Sequence, residues 1–118
     1  MATLGELERA VMDAVWDAPV PVSAYDVQST LAAAGRELAV TTLLTVLSRL
    51  EKKGFVAADR AVRPFRYTSV ASRADHMAEL MTDVLGESRD RMAVLERFVG
   101  SVSDEDAAAL RQLLRGAS

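Results

Sequence analysis

Apolar residues recur along this chain in two rhythms, and each predicts its own kind of element. In the stretch 39–55, AVTTLLTVLSRLEKKGF, the residues Leu43, Val46, Leu47 and Leu50 stand at i, i+3, i+4 and i+7. That is the spacing of a helix with one buried stripe. At about 100° per residue the opposite side carries Thr41, Thr45, Ser48 and Lys52, with Thr42 and Arg49 on one flank. Lys52 and Lys53 fall in the last turn, where the helix dipole favours cations, and Gly54 can take the left-handed stop. Ahead of this helix, Leu4, Leu7, Val11, Ala14 and Val15 predict a first helix over 4–16, with Thr3 and Glu6 as its capping pair and Trp16 as a core anchor at its end. Pro19 and Pro21 impose an extended connection. Ser23 with Asp26 then opens a second helix over 24–34, with Val27 and Leu31 inward and Gly35 as its stop. Ala39 is a poor N-cap, so the third helix has no sharp start in the sequence.

After Gly54 the period shortens. Segments 55–60 and 65–70 alternate in part and are joined across 61–64, which predicts a β-hairpin with Pro64 at a strand start. From Ser72 onward the pattern is helical again. Ser72 with Asp75 caps a fourth helix over 73–85, striped by Met77, Leu80, Met81, Val84 and Leu85 and ended by Gly86. A fifth helix over 88–99 carries Met92, Leu95, Phe98 and Val99. Ser103 with Asp106 caps a sixth over 104–115, with Ala107, Leu110, Leu113 and Leu114. Three helices this short bury little surface alone, so stripes this apolar call for a partner, and a second copy of the same segment is the simplest one. The expected fold is mainly α with a small β-hairpin: residues 1–71 form an N-terminal winged helix-turn-helix, and residues 72–118 a C-terminal helical dimerisation region. A Met-rich stripe also fits a ligand pocket.

Charge adds a location. The chain of 118 residues has a net charge of −3, which does not advertise a nucleic-acid binder. The sum conceals a gradient: residues 1–70 are balanced at eight bases and eight acids, whereas residues 71–118 hold six bases against nine acids. Between Arg49 and Arg66 the bases Arg49, Lys52, Lys53, Arg60, Arg63 and Arg66 face only Glu51 and Asp59, a local +4. A positive field confined to one helix end and a hairpin suits a DNA-binding face: hydroxyls on the third helix approach base edges, while arginine and lysine reach bases or phosphates. The third helix would enter the major groove and the basic wing would follow the backbone. A solvated helix face and a structural hairpin give the same pattern, as does a winged-helix module for protein–protein interaction that meets an acidic partner instead of DNA. The hydroxyl-rich face favours DNA, since protein-facing hot spots are richer in aromatics.

Other chemistry is missing. There is no cysteine, which removes disulfides, thiolate metal sites and thiol redox sensing. The single His76 has no second His or Cys with which to share a metal, and reads as a surface or interface histidine. Glu79 and Asp83 are i, i+4 neighbours on a solvated face, and no Gly-rich phosphate loop occurs. No catalytic residues, metal or cofactor are expected. No run is long enough to span a bilayer and the N-terminus lacks signal-peptide character, so the expected location is the cytoplasm.

Four stretches together carry a resemblance. They are LGELERAVMDAVW at 4–16, TTLLTVLSRLEKKGF at 41–55, the hairpin ending in Arg66 and Tyr67, and FVGSVSDEDAAALRQLL at 98–114. They resemble the penicillinase-repressor family, the BlaI/MecI/CopY group of bacterial transcriptional regulators, over nearly the whole chain. The resemblance implies a homodimeric repressor, with an N-terminal winged helix and a C-terminal helical dimerisation region; the apolar stripes offer Met77, Leu80, Met81, Val84, Met92, Leu95, Phe98, Val99, Leu110, Leu113 and Leu114 for that contact. It also implies a palindromic operator with half-sites similar to TACA…TGTA, read by the face matching Thr41, Thr42, Thr45 and Arg49. The copper-responsive branch uses a C-terminal cysteine cluster, which this chain lacks. The β-lactam-responsive branch is inactivated by cleavage at an Asn-Phe bond through a membrane-bound sensor protease. The matching pair here is Arg97 and Phe98, which keeps the Phe and loses the Asn.

Overall fold

The computed structural model describes residues 3–117 and contains, in chain order, α1 (Glu6–Asp17), α2 (Ala24–Ala33), α3 (Val40–Lys52), β1 (Val56–Asp59), β2 (Arg66–Ser69), α4 (Arg73–Glu87), α5 (Arg91–Ser101) and α6 (Asp104–Gly116). The chain divides into two compact units, one through Ala78 and one from Glu79 onward. The first therefore runs past the boundary after Ala71 that the sequence suggested.

In the first unit, α1, α2 and α3 close around Val11, Met12, Val15, Val27, Leu31, Leu43, Val46, Leu47 and Leu50, all buried. Two left-handed glycines set the turns on either side of α3. At Gly35 (φ 86°) and Gly54 (φ 85°) the helix ends in paired bonds. Arg36 N–H donates to Leu31 O at 2.8 Å and Gly35 N–H to Ala32 O; Phe55 N–H donates to Leu50 O at 2.9 Å and Gly54 N–H to Glu51 O. Only a residue without Cβ takes this conformation at no cost, so the two glycines fix where α2 stops and where α3 gives way to the hairpin. Gln28 Nε2 also donates to Leu38 O at 2.9 Å, bracing the α2–α3 turn.

The hairpin pairs Val56 with Ser69 and Ala58 with Tyr67 in antiparallel register. Val56 and Tyr67 face the core, while Ala57, Asp59, Arg66 and Thr68 face out. Val22, just after Pro21, extends this sheet, a long-range pairing with no local signal. Tyr67 N–H donates to Val22 O at 2.7 Å and Val22 N–H to Tyr67 O at 3.1 Å, which ties the extended α1–α2 connection to the returning strand.

Several expectations need correction. Thr3 and Glu6 do not cap α1. The N-cap is Gly5, whose N–H donates to Glu8 Oε1 at 2.8 Å, and Glu6 instead pairs with Arg36. Gly86 does not end α4, which continues to Glu87. A glycine stops a helix only by turning left-handed, and this one does not. The fifth helix starts at Arg91 and not at Ser88, because the Asp90 carboxylate accepts from Ala93 N–H and so serves as the N-cap. His76 is buried, at 5% exposure. Its ring lies 5.6 Å from that of Trp16 and 5.3 Å from that of Phe55, edge-on to the latter. Trp16 Nε1–H donates to Ala71 O at 3.0 Å, and Arg73 stacks on the Trp16 ring while reaching Asp17 at 2.8 Å and Asp13 at 3.3 Å. These ties carry the first unit beyond the hairpin into the start of α4.

The second unit comprises the rest of α4 with α5 and α6. Ser103 caps α6 by accepting from Asp106 N–H at 3.0 Å, as the spacing predicts. No residue of α5 or α6 is buried, and Met81, Val84, Met92, Val99, Leu113 and Leu114 are all exposed large apolar residues, the last two at 69% and 72%. No described helix is long and apolar enough to cross a membrane.

Candidate nucleic-acid interface

The buried stripe of α3 settles which way its other face points. With Leu43, Val46, Leu47 and Leu50 inside, Thr41, Thr42, Leu44, Thr45, Ser48, Arg49 and Lys52 are all exposed. Leu44, Thr45, Ser48, Arg49 and Lys52 line one open depression on this side. The Thr45 hydroxyl donates to Thr41 O at 3.1 Å, so what it keeps for a ligand is the acceptor capacity of its oxygen. Arg49 and Lys52 form no ion pair with any described residue, and both lie in the last turn of the helix. The arrangement offers small hydroxyls at the centre, one 42%-exposed leucine for an apolar contact, and two cations outside any ion pair at one end, Arg49 lying within the field of Glu8.

The other bases differ from this pair. Lys53 is drawn into the first unit: its Nζ donates to Glu8 Oε1 at 2.8 Å and to Thr3 O at 3.0 Å. Arg60, just after β1, is paired end-on with Glu51 at 2.6 and 2.8 Å. Arg66 on β2 reaches Asp26 at 3.0 Å. Arg63, at the hairpin tip, bonds only to the carbonyls of Arg60 and Val62 and lies 4.6 Å over the Phe65 ring. The six bases thus form no single field. Three are met by carboxylates, and the charge that remains open to a ligand is on Arg49, Lys52 and Arg63.

In the Glu8–Lys53 pair the acid is buried while the lysine side chain stays 31% exposed. The Glu8 side chain is only 6% exposed and is the buried acid of this unit. The Lys53 ammonium, and next the Gly5 N–H, hold its carboxyl below the ordinary value of 4.5. A carboxyl whose pKa falls on folding contributes stability that is present above its unfolded value and disappears as pH drops through the folded one. Glu6, Asp26 and Glu51 are lowered by their own partners and act in the same direction. Lys53→Met is therefore expected to lower stability near neutrality, and the gap between variant and wild type should close in acid, where Glu8 is protonated in both. Urea unfolding midpoints at neutral and acid pH check this; a gap independent of pH would show that the ion pair contributes nothing.

The α3 face and the hairpin beside it form a winged helix, and the comparison with known proteins agrees. The family model of the penicillinase repressor matches residues 4–116. The chain belongs to the penicillinase repressor family. It is 43% identical over 117 residues to the transcriptional regulator BlaI of two Mycobacterium tuberculosis strains, covering 97% of this chain and 84% of that protein. Among solved structures it is similar to RosR of H. salinarum, at a TM-score of 0.54 and 18% identity over 90% of this chain and 96% of that one. A complex structure of hsRosR matches equally well, with a TM-score of 0.54 and 19% identity over 91% and 95% of the two chains. At such identities the likeness to RosR concerns the fold. Membership of the penicillinase repressor family makes this chain a DNA-binding transcriptional repressor.

Two aromatic side chains, one exposed and one half-buried, carried no clear signal in the sequence. Tyr25, 56% exposed, follows the Ser23 cap of α2, where only the capping pattern had drawn notice. Phe65 is half-buried beneath Arg60 and Arg63 and supplies the ring on which both stand. An aromatic two residues after an arginine at a hairpin tip was the available signal for the second.

Proposed function

We propose that the protein represses transcription as a homodimer on an inverted-repeat operator. In each copy α3 enters the major groove, the hairpin lies on the backbone, and the helices of the second unit join the two copies. The observation that carries this reading is the face of α3: hydroxyls, one leucine and two unpaired cations on a helix whose reverse is locked in the core. Self-association draws support from the apolar residues that α4, α5 and α6 leave exposed. Each such residue, once covered, contributes roughly 1.5–3 kcal/mol. The first unit thus has the role of reader and the second that of coupler.

Within the face, different residues should fail differently. Thr45→Ala and Arg49→Ala are expected to relax discrimination between operator and mutated operator, with a base-reading contact worth roughly 1–3 kcal/mol. Lys52→Ala should weaken all duplexes alike and flatten the salt dependence by about one unit. Anisotropy titrations on a palindromic operator and on mixed-sequence DNA across a salt series separate the two classes. Equal losses on both duplexes for Thr45→Ala would remove base reading from α3, and no DNA binding at all would favour a protein-binding role for the face.

Release of the operator follows from loss of the second copy. A cut between Arg97 and Phe98 by a sensor protease would remove Phe98, Val99, Leu110, Leu113 and Leu114 from the coupling surface. That bond lies inside α5, where Arg97 Nη1 donates to Ala93 O, so a protease would need the helix opened before it could act. Mass spectrometry of the repressor from derepressed cells distinguishes a fragment ending at Arg97 from intact protein.

A further inference from the structure

We propose that Glu51 and Arg60 form a clasp that sets the pose of the wing, so that Arg60 is a positioning residue and Arg63 is the wing's phosphate contact. The proposal rests on the DNA-binding reading of α3 and the hairpin. Both terminal nitrogens of Arg60 donate to both oxygens of Glu51, at 2.8 and 2.6 Å. A bidentate pair fixes orientation as well as distance, and this one joins the residue after β1 to the flank of α3. Arg60 also stands 5.5 Å over Phe65, and Arg63 stands 4.6 Å over the same ring. Arg63 Nη1 donates in turn to the carbonyl of Arg60. Glu51, Arg60, Phe65 and Arg63 therefore form one connected series from the recognition helix to the hairpin tip.

The returning strand has a matching tie. Arg66 reaches Asp26 at 3.0 Å, and Asp26 is itself fixed by the Ser23 cap, since Ser23 N–H donates to its Oδ2 at 2.9 Å. The wing is thus held to α3 on one side and to α2 on the other. Charge sorts the three wing arginines in the same way. Arg60 and Arg66 each face a carboxylate, whereas Arg63 is held by two carbonyls and a ring. A cation already met by a carboxylate displaces few counterions from DNA, while one held by neutral groups keeps its full charge for a phosphate. A clasp next to the reading face also explains why an acid sits on α3 between Leu50 and Lys52, where a wholly electrostatic binder would place none.

The test uses the full chain on mixed-sequence duplex DNA, with anisotropy titrations over a salt series and a thermal melt of each variant. Glu51→Gln and Arg60→Ala are each expected to weaken binding by roughly three- to tenfold, the double variant no more than either alone, as for two members of one network. Arg60→Ala should leave the salt slope unchanged, and Arg63→Ala should flatten it by about one unit per copy. Arg60→Lys, which keeps the charge and loses the fork, should behave like Arg60→Ala. Tighter binding by Glu51→Gln, or a flatter slope for Arg60→Ala with rescue by Arg60→Lys, would overturn the proposal and make Arg60 a phosphate contact restrained by Glu51. Binding by none of the proteins, wild type included, would overturn the DNA reading and the clasp with it.

Discussion

A chain ending at Ala78 is expected to fold, to run as a monomer and to bind a palindromic operator roughly 10²–10⁴-fold more weakly than the full chain. The first half of this expectation follows from where the first unit ends. Up to Ala78 the fragment keeps the Trp16 bond to Ala71, the Arg73 pairs with Asp13 and Asp17, and His76 against Trp16 and Phe55. A chain ending at Val70 would lose all of these and should melt lower than the longer fragment. The second half follows from coupling. Two readers joined by the second unit would engage their half-sites as one body, the second contact being made at high effective concentration and not from bulk solution. Without Glu79 onward, each reader binds alone. Sedimentation and anisotropy on the same preparation check both parts. A fragment that binds as tightly as the whole chain would show that the exposed residues of α4, α5 and α6 do not couple the readers.

What the sequence made legible was local. Ser23 with Asp26, Ser72 with Asp75 and Ser103 with Asp106 all cap the helices they were expected to open. Gly35 and Gly54 take the left-handed stops, and the stripe of α3 is buried at the four positions its period picks out. These features depend on neighbours a few residues away, which a one-dimensional pattern contains. Apart from Gly86 and the start of α5, where local signals misled, the failures lie where a partner is distant in the chain. Lys53 belongs to the last turn of α3 by sequence, but its ammonium is taken up by Glu8, 45 positions earlier. Glu8 also explains the misplaced cap of α1. Thr3–Glu6 and Gly5–Glu8 have the same spacing, and the second prevails because its carboxylate gains Lys53 while Glu6 gains Arg36.

The charge count erred for the same reason. A local +4 adds charges without asking what each one faces, and Arg60, Arg66 and Lys53 turned out to be matched by Glu51, Asp26 and Glu8. His76, without a second His or Cys to share a metal, reads from sequence as a surface or interface residue, yet it is buried. Trp16 and Phe55 reach it only after α4 turns back onto α1 and the end of α3. Which members of the patch stand clear of carboxylates is a property of the fold.

Leu47→Ala is expected to cost the first unit about 2–5 kcal/mol, whereas Leu44→Ala, three positions away, should cost about 0.5 kcal/mol or less. Leu47 is at 0% exposure on the buried stripe, with Met12, Leu43 and Leu50 likewise fully enclosed, so truncation leaves a cavity that a close-packed interior closes only in part. Leu44 is 42% exposed and lines the depression on the opposite side, so its loss removes little that is covered in the free protein. For a domain of this size each kcal/mol moves the melting temperature by roughly 4–8 °C, which puts Leu47→Ala at least about 8 °C below wild type. DNA binding should respond in the opposite order. Leu47→Ala leaves the reading face chemically intact, and its folded fraction should recognise the operator normally in the cold. Leu44→Ala should melt like wild type and lose affinity for duplexes whose thymine methyls meet this side chain. Calorimetry and anisotropy on the two variants separate the faces of one helix. Equal melting temperatures for the pair would mean that α3 does not present the side that its buried stripe requires.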